Sequence, residues 1–191
     1  MIKRELYMNR IRPFIGGELI KVMTGIRRSG KSVMLELIKE ELAEAGVAPS
    51  QMISINFEDM RYSHLQTATA LHDEIIKRAE GIEGKAYLFF DEIQEVEGWE
   101  KCVNSLRVAL DCDIYITGSN AKLLSGELAT YIGGRYVEFV IYPFSFAEFL
   151  ELYHTIAPSD SIQQCFQKYL LAGGMPYLAN LRYEEEPSRQ Y

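Results

Sequence analysis

Gly25-Ile26-Arg27-Arg28-Ser29-Gly30-Lys31-Ser32 has the form G-x-x-x-x-G-K-[ST]. That spacing suits phosphate. Glycines at both ends let the backbone curl tightly enough for its N–H groups to face phosphate oxygens. A helix starting near Lys31 adds the positive end of its dipole. Lys31 is then placed to reach β- and γ-phosphates and Ser32 to ligate Mg²⁺. Gly25, Ile26, Arg27, Arg28, Ser29 and Gly30 form the rest of the cradle, and Val33 follows it. A mere Gly-rich turn with a solvated lysine would need neither a strand before it nor a helix after it.

Metal-assisted phosphate chemistry also calls for a carboxylate on a neighbouring strand. Phe89-Phe90-Asp91-Glu92 offers two. Asp91, at the strand end, is placed to hold the Mg²⁺ shell. Glu92 points differently and can polarise an attacking water as general base. The run Ile116-Thr117-Gly118-Ser119-Asn120 ends another strand. Thr117, Ser119 and Asn120 are candidates to sense a γ-phosphate, although Ser119 or Asn120 would equally cap a helix. Arg135 follows Gly133-Gly134 and could act as an arginine finger, in its own chain or toward a neighbouring subunit. A surface salt bridge is the plainer role for it.

These residues need elements to hold them. Residues 19–24 read as a strand running into the loop, and 33–45 as the helix after it, with Met34, Leu35, Ile38 and Leu42 on one face. Strands are expected at 52–57, 86–90, 113–117 and 136–141, and helices at 3–12, 67–80 and from Trp99 to Leu110. Residues 120–132 read as helix and turn. The all-apolar run Ala86–Phe90 is that of a strand buried on both faces. Alternating strands and helices give an α/β fold with a mostly parallel five-stranded sheet between helical layers. From Pro143 onward the pattern is helical, with a break at Gly173-Gly174-Met175-Pro176. A nucleotide-binding core over 1–142 and a helical lid or linker over 143–191 follow, with a polar tail at 184–188.

Composition sets the outer limits. The chain has 191 residues, is 48% hydrophobic and 25% charged, and carries a net charge of −7. This is a globular balance, and it excludes a uniformly basic nucleic-acid coat. A local basic patch, from the N-terminal helix with Arg27 and Arg28, stays open. The odd count of three cysteines, without a C-x-x-C pair, argues against a disulfide scaffold and for a reducing, cytoplasmic setting. No apolar run is long enough to span a bilayer.

Taken together, Ile20–Ser32, Phe90-Asp91-Glu92-Ile93-Gln94, Ile116–Ala121, Gly134-Arg135, Tyr142–Phe149 and Tyr169–Pro176 resemble the AAA-type P-loop ATPases. More narrowly, they look like a prokaryotic family of uncharacterised ATP-binding proteins. The resemblance implies a three-layer αβα P-loop NTPase in which the Thr117 strand lies between the loop strand and the Asp91 strand. It implies ATP and Mg²⁺ as ligands, and hydrolysis that drives a conformational switch. It also implies longer proteins with a second domain, so this chain is expected to lack an effector half. Partners implied are DNA, protein or further copies of the chain. Two other functions fit the residues. One is a nucleotide-dependent DNA- or protein-binding module with little turnover; the other is a P-loop kinase acting on a small acceptor. A GTPase is disfavoured, since no Asn-Lys-x-Asp motif occurs.

Overall fold

The computed structural model describes residues 2–119 and 132–183. Strands β1 (Ile20–Thr24), β2 (Met52–Asn56), β3 (Ala86–Asp91), β4 (Cys112–Thr117) and β5 (Tyr136–Val140) form one sheet in the order β2-β3-β4-β1-β5. Every pairing is parallel. All five expected strands are present within a residue or so of the expected limits. The helix-and-turn reading of 120–132 and the polar tail fall almost wholly outside the described residues, as does Asn120.

Strand alternation divides the core in two. Ile20, Val22, Leu88, Phe90, Ile114 and Ile116 face α3 (Ala68–Ala79) and α4 (Trp99–Ala109), where Leu71, Ile75, Trp99, Val103 and Leu106 complete the cluster. Met23, Phe89 and Tyr115 face the other way, onto α1 (Glu5–Ile11) and α2 (Lys31–Glu44). There Phe89 and Tyr115 stack with centroids 4.9 Å apart. Buried on both faces, the central strands carry apolar runs, as a parallel sheet requires.

The helical appendage has its own core. Helices α5 (Phe146–Ile156) and α6 (Ile162–Ala172) both begin with capping boxes, Ser145 with Glu148 and Ser161 with Gln164. Phe149, Tyr153, Cys165, Leu178 and Tyr183 pack together, and Ile2 from the start of the chain joins them. The Phe144 amide donates to the Gly174 carbonyl at 2.7 Å, tying the break after α6 to the end of the core. Among the described residues no helix is long and apolar enough to cross a membrane.

One polar cluster lies inside the α2 side of the sheet. Lys21 and Asp113 form an ion pair with both side chains at 0% exposure. Asp113 also accepts from the Gly16 amide and the Tyr115 hydroxyl, each at 2.7 Å. Burial pulls the Lys21 ammonium below its usual range, against the opposing pull of Asp113. Removing one partner leaves the other's charge buried and alone, which usually costs about 3–5 kcal/mol. Asp113→Ala should therefore lower the urea midpoint steeply. Adding Lys21→Met in that background should recover part of the loss, because the stranded ammonium is gone.

Candidate functional site

The phosphate-type loop leaves β1 at Thr24 and enters α2 at Lys31, two residues earlier than periodicity indicates. Gly30 is the reason: as N-cap it takes φ 100°, which lets the helix start at once. Lys31 and Ser32 thereby occupy the first turn, where amide donors have no partner within the helix. Gly25 is fixed by a close approach. A Cβ there would lie 2.2 Å from the Ile141 carbonyl oxygen, and its φ is 143°. The Ile141 amide donates to the Thr24 carbonyl at 2.7 Å, so the segment after β5 is laced against the loop's entry.

Within the loop, the Lys31 ammonium lies 3.4 Å from the Gly25 carbonyl and 3.3 Å from that of Ile26. Glu92 Oε1 stands 3.8 Å from it. Ser29 is fully buried, and its hydroxyl has no hydrogen-bond partner among the described residues. Arg27 is exposed and pairs with Glu58 at 3.3 Å, across the mouth of the cleft. Arg28 has a left-handed backbone, φ 65°, and its guanidinium lies 6.0 Å from the Tyr177 ring centre. Ile26 is exposed and Val33 lines the cleft.

Asp91 and Glu92 are neighbours in sequence and differ sharply in setting. Asp91 is buried, and its carboxylate accepts from the Thr117 hydroxyl and from Asn56 Nδ2 at 3.2 Å. Burial pushes this carboxyl above the usual aspartate range. Thr117, Ser32 and Lys31 pull it back, while Glu92 adds to the push. Glu92 turns out of the strand with φ 54°. Its amide donates to the Thr117 hydroxyl at 3.0 Å, and its Oε2 accepts from Gln94 Nε2 at 2.6 Å. Thr117 thus touches both acidic residues. Ser119 lines the cleft beside Lys31, Glu92 and Gln94.

The structure does not bring Arg135 to its own loop. Arg135 precedes β5, whose first residue, Tyr136, pairs with Ile20 at the start of β1. The loop leaves the opposite end of that strand. Arg135 instead bonds Asn104 Oδ1 at 2.7 Å. A role within its own chain is therefore withdrawn. Of the basic residues expected to form a patch at the N-terminal helix, Arg12 pairs with Glu5 and Glu41 and Arg4 is buried against Glu148, while Lys3 and Arg10 are exposed.

A cleft of about 570 Å³ opens over the loop, with Lys31, Ser32 and Glu92 on the core side and Pro176, Tyr177 and Asn180 on the appendage side. Sequence reasoning missed these three, along with Asn56 and Arg4. Asn56 had one available signal, a polar residue ending a strand parallel to that of Asp91. The donor set fits a magnesium nucleotide. It offers an amide-lined turn at a helix start, an ammonium held among the described residues by long contacts, and a hydroxyl near a buried carboxylate.

A profile of the family described as AAA domain matches residues 18–150. An uncharacterized protein of Haemophilus influenzae is 44% identical over 176 residues, covering 92% of this chain and 44% of that protein. Another, from Methanocaldococcus jannaschii, is 36% identical over 166 residues, covering 82% and 35%. The chain thus spans less than half the length of these relatives. AMPPCP-bound DnaA from Aquifex aeolicus superposes with a TM-score of 0.61 at 14% identity, covering 95% of this chain and 59% of that one. A RuvB P216G mutant from Thermotoga maritima gives 0.60 at 16%, covering 94% and 59%. Orc1 of Aeropyrum pernix in complex with DNA gives 0.56 at 16%, covering 100% and 65%. At such identities the structures speak for the fold alone. The family profile spans more than half of the chain and the sheet order agrees with it: the chain belongs to the AAA domain family.

Proposed function

We propose that this chain binds ATP with Mg²⁺ and hydrolyses it, and that turnover changes how the helical appendage sits on the core. One observation carries the reading. Lys31, Ser32 and Glu92 line a cleft at the end of the sheet whose far wall belongs to the appendage, and Asp91, bonded to Thr117, lies buried next to Glu92. Adenine is chosen from the family and from the missing guanine-reading motif; the neighbour DnaA was solved with AMPPCP.

The contacts support the following roles. Lys31 gives up its long carbonyl contacts for the more favourable phosphate oxygens. Ser32 and Asp91 are the residues that would hold Mg²⁺, which supplies charge neutralisation across the phosphates. Glu92 accepts the proton of an attacking water. Gln94 and the Thr117 hydroxyl hold Glu92 and Asp91 in place from either side. Ser119, which lines a pocket with Lys31 and Glu92, is assigned to face the terminal phosphate.

Lys31→Ala should abolish ATP binding by calorimetric titration. Glu92→Gln should retain binding while kcat falls by about 10²–10⁴-fold. Normal turnover in that variant would remove Glu92 from the role. Thr117→Val should keep nucleotide affinity and lower kcat by about 10- to 150-fold, the worth of one hydrogen bond to a charged group.

Arg135 enters this scheme only through a neighbouring copy. As an arginine finger in an assembly it would contribute about 10³–10⁵-fold to kcat. Arg135→Ala should then be inactive alone, and mixing it with inactive Lys31→Ala should restore turnover, since each supplies what the other lacks. No restoration, with mass measurements showing mixed assemblies, would exclude the role.

A further inference from the structure

Arg4 is a charged side chain only 1% exposed, at the start of α1. Its guanidinium is shared among three parts of the molecule. Nη1 donates to the Ser29 carbonyl, inside the phosphate loop, at 2.9 Å. Nη2 donates to the Tyr142 carbonyl, where the core gives way to the appendage, at 2.8 Å. Nε donates to Glu148 Oε1, in the first turn of α5, at 2.8 Å. Tyr7 and Phe144 cover the group, with ring centres 4.6 Å and 5.2 Å away. Glu148 is held in turn by the Ser145 amide at 2.8 Å.

The contact with Ser29 bears on the cradle itself. The peptide unit is planar, with its C=O and N–H on opposite sides. Fixing the Ser29 carbonyl toward Arg4 therefore aims the Gly30 N–H away from the core–appendage junction. Gly30 leaves little slack, since a Cβ on it would lie 3.2 Å from Arg4 Nη1. A lysine could not reproduce the arrangement, because one ammonium cannot reach all three acceptors in the plane a guanidinium spans.

We propose that Arg4 is a positioning residue for phosphate binding, and that through Glu148 it makes the shape of the phosphate loop and the seating of α5 a single equilibrium. The link is reciprocal: a ligand that fixes the loop steadies α5, and loosening α5 weakens the ligand. The proposal rests on the nucleotide-binding reading of the loop, but its structural half can be measured without nucleotide.

The test uses the 191-residue chain with Glu148→Gln, a nearly isosteric change outside the cleft, and Arg4→Lys. Without nucleotide, hydrogen exchange of amides 25–32 should speed up in both variants. With ATP and Mg²⁺, Glu148→Gln should weaken binding by between about two- and thirty-fold. The loss should fall on KM, with kcat within about twofold of wild type, since uniform binding rather than the reacting centre is affected. A merely unstable variant would instead lower apparent kcat. The double variant should bind no worse than Arg4→Lys alone. Folded variants with wild-type loop exchange and wild-type KM would overturn the proposal. If neither variant folds, the wild type decides: ATP should slow exchange across 146–156, and no slowing there despite slowing at 25–32 would overturn it. Wild type that binds no ATP while the variants still loosen the loop would refute the nucleotide reading and leave the coupling standing.

Discussion

Strand β4 is hydrogen-bonded to β3 on one side and to β1 on the other. From that placement the Gly118 amide reaches the Met23 carbonyl at 3.3 Å, and the Thr117 hydroxyl reaches Asp91. The phosphate loop and the two carboxylates belong to strands that do not touch each other. The spacing between them is set by the strand inserted between them, and its parallel direction puts all three ends on one side of the sheet. A strand exchanged for its neighbour would keep every motif in the sequence and lose the cleft.

The same end of the sheet shows how adjacent residues acquire different chemistry. Asp91 ends the strand facing inward among hydroxyl and amide donors, and burial raises its pKa. Glu92 follows in a left-handed conformation, an arrangement costing roughly 1–2 kcal/mol for a residue with a Cβ. The turn separates the two carboxylates. One suits a fixed cation and the other suits a mobile proton, and the division arises from backbone direction rather than side-chain type.

Much of this is legible in the chain. The strands announce themselves because a parallel sheet covered on both faces needs apolar runs, and Ala86–Phe90 is one. The loop residues are legible because close backbone approach tolerates only glycine at Gly25. Legibility fails where a contact spans the chain. Arg4 meets partners 25, 138 and 144 residues away, so nothing near it in sequence marks it among the other basic residues. Thr117 could be shortlisted with Ser119 and Asn120, but only the register of β4 against β3 separates it from Ser119. The Gly-Gly setting of Arg135 points toward the site, whereas the parallel pairing of β5 with β1 places it at the other end.

The cleft and the smaller pocket beside it together set three cations, Arg27, Arg28 and Lys31, against three carboxylates, Glu58, Glu92 and Glu95. The balance matters for what is admitted. A bare triphosphate would bring several negative charges into a space already holding its share, with Asp91 beneath. The same triphosphate already complexed to a divalent cation carries two fewer, and its repulsion from those carboxylates is correspondingly weaker. On the nucleotide reading proposed above, the wall would therefore favour metal-bound over free nucleotide, through residues such as Glu58 that are not assigned to the reaction.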